Sequence, residues 1–403
     1  MSNLPIYAML ARAFAGEGVD TLFSLMGDGN MHWATAMAKL DGMRVFHARH
    51  EHCACAMAMG YHSATGKVGV ATVTCGPGVT QIMTALTTAA RAGVPLVVFA
   101  GESPINARWY NQALDQAPLV TATGAHYVRA HSAARMYDCV REAFHVARHE
   151  RRPAVLGVPY DLQKLPLPGS PDYVTSSSLV PETGRMPPDP DMLGRLVERL
   201  ASAQRPVIVA GRGAVRSGAQ AAIEELAEKS GALLATTLPA RGLFDHNPYS
   251  IGVAGGFASE IARELFAQSD LAVAVGASLT YYTVDGGALF PQAFVAQVDE
   301  QPRGLKDGMR AAGLFVRADA RAGAEAAARE LARGGAIFGR TDFGAIARGF
   351  SLRGTTVADI AQFGALMREY EAQGTAEIWN VPISDQVTSP TMRRLKAKGH
   401  GVM

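Results

Sequence analysis

Charge of one sign is missing from this 403-residue chain: 38 Lys and Arg stand against 36 Asp and Glu, leaving +2. No field of a single sign therefore points to nucleic acid or an anionic membrane as a partner. Cysteine is scarce, with four in all (Cys53, Cys55, Cys75 and Cys139), and no C-x-x-C pair occurs. Neither a disulfide framework nor a zinc ribbon is expected. Long apolar runs are absent as well. The longest, residues 94–100 and 271–277, are strand-sized, against the ~18 residues a membrane span needs. The first twenty residues carry no basic leader region, and Arg12, Glu17 and Asp20 interrupt their apolar positions. That pattern predicts an amphipathic helix rather than a signal peptide. The expectation is a soluble, cytoplasmic protein.

Glycine, by contrast, is plentiful at 42 residues, and 48% hydrophobic with 18% charged residues is the composition of a folded globular chain. The length predicts two or three domains. From residue 4 to residue 162, helix-like stretches alternate with short β-rich runs. Strands are expected at 21–25, 45–48, 69–74, 96–100 and 154–158, with helices at 9–14, 31–40, 53–65, 81–92 and 136–148. Alternation at this spacing argues for a parallel sheet covered on both faces. Residues 165–191 are dense in Pro, Ser and Gly, without periodicity, and read as a linker. A second α/β unit follows, with helices at 192–203, 219–230 and 321–333 and strands around 207, 232–236, 271–276 and 294–299. The expected fold is therefore α/β: two doubly wound parallel-sheet domains, 1–164 and 192–335, plus a short α/β remainder at 341–403. In that remainder, helices are expected at 343–350 and 359–373, a strand at 376–381, and a basic solvated tail, MRRLKAKGH, near the end.

The most informative stretch is FHARHEHCACAMAMGYHSATGKVGVATVTCGPGVTQ, residues 46–81. A strand ends in charged residues, and Glu51 sits at the strand-to-helix turn, on the edge where α/β folds place ligands. Taken alone, Glu51 reads equally well as an acidic first-turn residue that stabilises its helix. The strand at 69–74 is closed by Cys75-Gly76-Pro77-Gly78, with Thr80 and Gln81 opening the next helix. Gly-Pro-Gly lets a flat ligand approach backbone and puts unpaired N–H groups of a helix N-terminus behind it. On its own it signals only a turn.

Together these two features resemble the pyrimidine-binding domain of thiamine-diphosphate enzymes, in particular the acetolactate synthase and benzoylformate decarboxylase group. That family shows a strand, a glutamate inside H-E-x-x-A, a small-residue helix, and a strand ending in G-P-G-x-x-N. Here the residues are His50-Glu51-His52-Cys53-Ala54 and Gly76-Pro77-Gly78-Val79-Thr80, with Gln81 standing where the family has Asn. Residues 93–101, the segment Gln112-Ala113-Leu114-Asp115-Gln116, and the second unit from Arg205 through Gly213, Gly276-Ala277-Ser278 and Val298-Asp299 are similar to later parts of the same family.

The resemblance implies a thiamine-diphosphate-dependent decarboxylation or carboligation of a 2-keto acid, acetolactate synthase-like, in a homodimer or homotetramer. Glu51 would be the catalytic proton relay to the cofactor's aminopyrimidine ring. Gly76, Pro77, Gly78, Thr80 and Gln81 would hold the cofactor, and Asp28, His32 and Gln112 would line the substrate side. Some relatives bind flavin in the central domain, and no residue here distinguishes those from relatives that lack it. Family members also hold the diphosphate through Mg²⁺ on Gly-Asp-Gly and a later Asn in a third domain. The single Gly-Asp-Gly here, Gly27-Asp28-Gly29, lies in the first domain with Asn30 immediately adjacent, so it is expected to be a turn rather than a metal site. Residues 341–403 resemble only the closing helices and strand of that third domain, as though most of it were deleted. A second expectation is therefore an inactive scaffold, or a subunit that needs a partner chain for its diphosphate and Mg²⁺ contacts.

Three rival constellations are weaker. His47, His50, His52, Cys53 and Cys55 crowd together, but a strand-to-helix bend breaks the spacing a metal site requires. Gly211-x-Gly213 departs from a nicotinamide fingerprint because Arg216 takes the last glycine's place. Ser63, Ser103 and Ser278 lie in no G-x-S-x-G elbow.

Overall fold

The computed structural model describes residues 4–166, 172–302, 312–333, 348, 353–357, 360–373 and 377–380. The chain divides into two compact units, Met1–Glu182 and Thr183–Met403.

The first unit carries a six-stranded sheet of β1 (Thr21–Ser24), β2 (Arg44–His47), β3 (Gly69–Val73), β4 (Leu96–Glu102), β5 (His126–Arg129) and β6 (Ala154–Pro159), in the order β2-β1-β3-β4-β6-β5. Every pairing in it is parallel. Alternation along the strands explains the two covered faces. Val97 and Phe99 point into one core with α1 (Ile6–Gly16), α2 (Met31–Ala38) and α7 (Met136–His145). Leu96, Val98 and Ala100 point into the other with α3 (Glu51–Thr65) and α5 (Met83–Ala92). Successive side chains of a strand face opposite ways, so a strand apolar at every position needs helices on both sides. Aromatic rings tie α1 and α2 to the sheet, with Trp33 stacked on Phe99 at 4.1 Å and Phe14 edge-on to Trp33 at 4.9 Å.

The second unit repeats the design. Its strands β7 (Pro206–Ala210), β8 (Leu233–Thr236), β9 (Ser250–Val253), β10 (Leu271–Val275), β11 (Phe294–Asp299) and β12 (Leu314–Arg317) form a sheet in the order β12-β11-β10-β7-β8-β9. Ile208, Val273 and Val275 face α9 (Pro190–Ser202), α11 (Gln220–Ser230) and α14 (Ala320–Arg333), while Val207, Val209 and Ala274 face the side of α12 (Glu260–Gln268). Near the C-terminus, β13 (Arg353–Thr356) and β14 (Glu377–Asn380) pair in parallel, with the helix Ile360–Gln373 between them in sequence. The helix expected at 343–350 and the basic tail lie outside the described residues, apart from Arg348.

Part of the expected linker is tied down. Glu17, 6% exposed, accepts hydrogen bonds from the Tyr173 hydroxyl at 2.6 Å, the Ser176 amide at 2.7 Å and the Ser176 hydroxyl at 2.9 Å, and pairs with Arg148. Residues 173–176 therefore belong to the first unit's surface. At the other end, Asp189 accepts from the amides of Asp191 and Met192, both at 3.1 Å, and starts α9 at Pro190.

Candidate active site

In an open parallel sheet the connections leave in opposite directions at one point, and the crevice there is the usual ligand site. In the first unit that point lies between β1 and β3. The turn after β1 is Gly27-Asp28-Gly29. Its geometry comes from Asn30, whose Oδ1 accepts from the Gly27 amide at 2.8 Å and whose Nδ2 donates to Leu25 O at 3.1 Å and Thr72 Oγ1 at 2.9 Å. Gln163 Nε2 holds Gly29 O at 2.8 Å, and the same oxygen lies 2.3 Å from where a Cβ on Gly101 would stand. The Asn30 amide is spent on the turn, so this Gly-Asp-Gly is built as a backbone crossing, with the Asp28 carboxylate exposed above it.

Glu51 opens α3 but does not cap it. The cap is His50, whose Nδ1 accepts from the His52 amide at 3.1 Å. Among the described residues the Glu51 carboxylate has no hydrogen-bond or ion-pair partner. Its Oε1 lies 3.6 Å from the position a Cβ on Gly78 would take. The acidic residue and the Gly-Pro-Gly bend thus meet at the switch point, although 27 residues separate Glu51 from Gly78. One turn along the helix, burial first and the Glu51 charge second push the Cys55 thiol up to about 12. Gly76 has φ 62°, and a Cβ there would sit 2.2 Å from Gln112 O. Only glycine fits both requirements. Thr80 and Gln81 are exposed at the end of the short helix α4 (Pro77–Thr80), the Thr80 hydroxyl donating to Pro77 O at 2.7 Å.

Gln112 reaches the same bend. Its Oε1 accepts from Thr74 Oγ1 at 3.2 Å and Cys75 Sγ at 3.3 Å. His32 is stacked between Tyr7 at 5.5 Å and Tyr160 at 5.7 Å, with the Tyr160 hydroxyl 3.4 Å from His32 Nε2. Lys164 Nζ donates to that hydroxyl at 2.9 Å. Burial raises the Tyr110 hydroxyl's pKa, helped by the neighbouring Cys75 thiol and Asp28 carboxylate, and burial likewise raises that of Cys75. Asp28, Cys75, Tyr110 and Tyr160 therefore share one electrostatic neighbourhood. Sequence reasoning passed over Cys75, Tyr110 and Tyr160. For Tyr160 the available signal was its place directly after β6. For Tyr110 no periodic signal exists. Among the described residues no group of three or more His, Cys, Asp or Glu side chains is placed to hold a metal ion.

The second unit has its switch point between β7 and β10, and backbone fills it. Gly213 N donates to Gly276 O at 2.9 Å, and a Cβ on Gly211 would stand 2.3 Å from that oxygen. A Cβ on Gly276 would stand 2.3 Å from Ala214 N. This is the strand–turn–helix glycine pair that the sequence reading set against a nicotinamide site.

Comparison with known proteins matches one stretch in each unit. The N-terminal TPP binding domain of the thiamine pyrophosphate enzymes matches residues 6–119, and the central domain of the same enzymes matches residues 193–329. A Pseudomonas aeruginosa protein assigned as the 2-ketoarginine decarboxylase AruI is 32% identical over 79% of this chain and 56% of its own length. The glyoxylate carboligase of Escherichia coli O157:H7 is 32% identical over 59% of this chain and 40% of its own. The pyruvate oxidase of Lactiplantibacillus plantarum is 28% identical over 75% and 50%. The chain thus spans about half the length of these curated relatives. A solved structure of a Mycobacterium smegmatis protein assigned as thiamin diphosphate-dependent superposes with a TM-score of 0.67 at 23% identity, covering 81% of this chain and 63% of that one. At that identity the likeness speaks for the fold. No helix among the described residues is long and apolar enough to cross a membrane.

Proposed function

Because the chain belongs to the thiamine pyrophosphate enzyme family, we propose that it takes part in thiamine-diphosphate-dependent decarboxylation or carboligation of a 2-keto acid, with Glu51 as proton relay. The observation that carries this reading is the Glu51 carboxylate, without a partner among the described residues and set 3.6 Å from the Cβ position of Gly78 at the first switch point. A carboxylate with no partner among the described residues is available to a ring nitrogen, and the two glycines of the bend present backbone beside it. When bound, the cofactor supplies a carbon nucleophile and stores the electron pair set free as carbon dioxide leaves. The protein's part is to hold and move one proton. Glu51 would hold and release it at its carboxylate, and the adjoining Gly76, Pro77 and Gly78 backbone would hold the aminopyrimidine ring. Thr80 and Gln81 stand at the outer end of the same bend. Asp28, His32 and Gln112 would meet the substrate.

The diphosphate half of the cofactor is a different matter. Phosphate and metal contacts are the strong ones, and the family places them in a third domain, of which residues 341–403 would be a remnant. A subunit that takes those contacts from another chain, a second copy or a partner, is therefore the second reading, since among the described residues no group of His, Cys, Asp or Glu is placed to hold a metal ion. An inactive scaffold is its limiting case. Flavin has no support among these residues. Calorimetric titration of the purified full chain with thiamine diphosphate and excess Mg²⁺ tests the first reading. Saturable heat that weakens in Glu51→Gln is expected. No heat in wild type, together with a co-purifying chain that restores it, would replace the first reading with the second.

A further inference from the structure

Behind the Gly-Pro-Gly bend runs a chain of hydrogen bonds that the proton relay does not use. Gln116, 1% exposed at the start of α6 (Gln116–Ala122), accepts from the Gly76 amide through Oε1 at 2.7 Å. Its Nε2 donates to Gly101 O at 3.0 Å and to the Tyr127 hydroxyl at 2.9 Å. That hydroxyl donates in turn to Glu102 Oε1 at 2.5 Å, and His131 Nε2 meets Glu102 Oε2. Room for the Tyr127–Glu102 pair comes from Gly157, where a Cβ would stand 2.1 Å from the Tyr127 oxygen.

The chain has only one consistent direction. A backbone N–H can only donate and a backbone carbonyl can only accept, so the Gln116 amide cannot be turned over. Tyr127 spends its single proton on Glu102, which leaves its lone pair for Gln116. Glu102, 8% exposed, accepts at both oxygens.

From this geometry we infer that Gln116 is a positioning residue for the cofactor-facing bend, locked by Tyr127 and Glu102. The inference rests on the reading of Glu51 as the carboxylate that meets the cofactor ring. Gly76 holds a conformation open to glycine alone, with φ 62° and ψ −109°, and such a residue persists only where its surroundings over-determine it. Two contacts do so. The Gln112 carbonyl occupies the space of the missing Cβ, and Gln116 holds the N–H. Two residues on, Gly78 faces Glu51. Releasing the Gly76 amide would let the Glu51-to-bend spacing drift, although neither Gln116 nor Tyr127 touches Glu51.

The test compares Gln116→Leu, Gln116→Glu and Tyr127→Phe in the full chain, without cofactor and with thiamine diphosphate and Mg²⁺. Hydrogen exchange of the peptide spanning residues 74–82 reads the bend directly. In Gln116→Leu its Gly76 amide should exchange about tenfold faster or more, the cost of a buried N–H left without its acceptor, while peptides from β7 in the second unit keep wild-type rates. Tyr127→Phe keeps the Gly76 bond and cuts the chain behind it, so about two- to fivefold is expected. Gln116→Glu can donate to Gly101 O only when protonated. Its bend should be protected at low pH and released as the carboxyl ionises, a pH profile that filling space alone would not produce. Thiamine diphosphate affinity should weaken in step with exchange. Gly76 exchange within twofold of wild type in Gln116→Leu, or, should that variant not fold, a flat pH profile in Gln116→Glu, would overturn the inference. Failure of wild type to bind thiamine diphosphate would count against the cofactor reading alone, since the exchange measurements need no cofactor.

Discussion

The two sheets place their switch points alike, between β1 and β3 in one and between β7 and β10 in the other, yet the chain puts different material there. At the first, Gly27, Gly29, Gly76 and Gly78 let Thr74, Cys75 and Gln112 pack close, so that Asp28, Cys75, Gln112 and Glu51 lie around one bend. At the second, Gly211, Gly213 and Gly276 bring backbones together and use up the space themselves. One topology thus sets acidic and polar side chains around its glycines in one unit and packs backbone on backbone in the other. What differs is whether a carboxylate without a partner among the described residues lies beside the glycines. Fold supplies the place and side chains decide whether it is a site.

The largest expected effect tests that distinction. Glu51→Gln keeps size and removes the titrating group, so cofactor-dependent consumption of a 2-keto acid should fall by about 10²–10⁴. Stability should stay within about 0.5 kcal/mol, because no described bond is broken. Ser278→Ala, at the second switch point, should leave the rate within about twofold. Steady-state kinetics on both variants, with denaturant unfolding alongside, checks this. Equal losses in the two would break the comparison.

Next comes a matched pair of glycines. Gly76→Ala and Gly276→Ala each add a Cβ within 2.2 or 2.3 Å of a backbone atom, at φ 62° and 59°. Each should cost about 3 kcal/mol from strained backbone and overpacking together, read as a lower unfolding midpoint. They should part company in binding. Gly76→Ala should also weaken thiamine diphosphate, whereas Gly276→Ala should leave its affinity unchanged in the molecules that remain folded.

How much of this was legible in the sequence follows from the range of each interaction. Both parallel sheets could be read because central strands such as β4, from Leu96 to Ala100, and β10 are unbroken apolar runs followed by glycine. The edge strands β5, β9 and β12 escaped. Each has four residues, and half-exposed or exposed positions such as His126, Gly252 and Arg317 interrupt the apolar signal. Glu51 and Gly76–Gly78 were found through a motif, and their closeness is a consequence of the sheet order. Gln116 left no trace in periodicity, because its importance lies in an amide 40 residues away. Nor did Glu17. In the sequence it is a charge near a helix end, and its burial depends on Tyr173 and Ser176, inside a stretch that reads as a linker.

Glu17 gives a pH test confined to the first unit. Burial raises its pKa, but the bonds from Tyr173, Ser176 and Arg148 outweigh that and hold it below the ordinary 4.5. A lowered carboxyl stabilises the fold fully above the unfolded value, and the contribution is lost as pH falls below 4.5 through the folded value. The first unit should therefore loosen as pH falls below about 4.5, seen as rising exchange in α1 and in residues 173–176. Glu17→Gln should lose about 3 kcal/mol at neutral pH by taking the counter-charge from Arg148, which keeps its bonds to Glu17 O and Ser176 Oγ, and should show less of that acid-dependent loss. Helices α9 and α11 of the second unit serve as the internal reference.

The smallest effect is expected on the second unit's surface. Arg321 and Glu325 sit one turn apart on α14, with Arg321 Nε 2.7 Å from Glu325 Oε1, and the Arg321 contact lowers the pKa of Glu325. Both side chains are about two-fifths exposed, so water and salt screen the pair and holding two long side chains costs entropy. Arg321→Ala should shift stability by no more than about 0.5 kcal/mol, and by less in high salt. The Arg321 amide also donates to Asp319 at 3.0 Å, a helix-start contact that substitution of the side chain leaves in place. Denaturant midpoints at two salt concentrations decide the matter. A loss several times larger would mean that the helix relies on its surface charges to stay docked on a sheet whose apolar faces, by the comparison drawn above, already suffice.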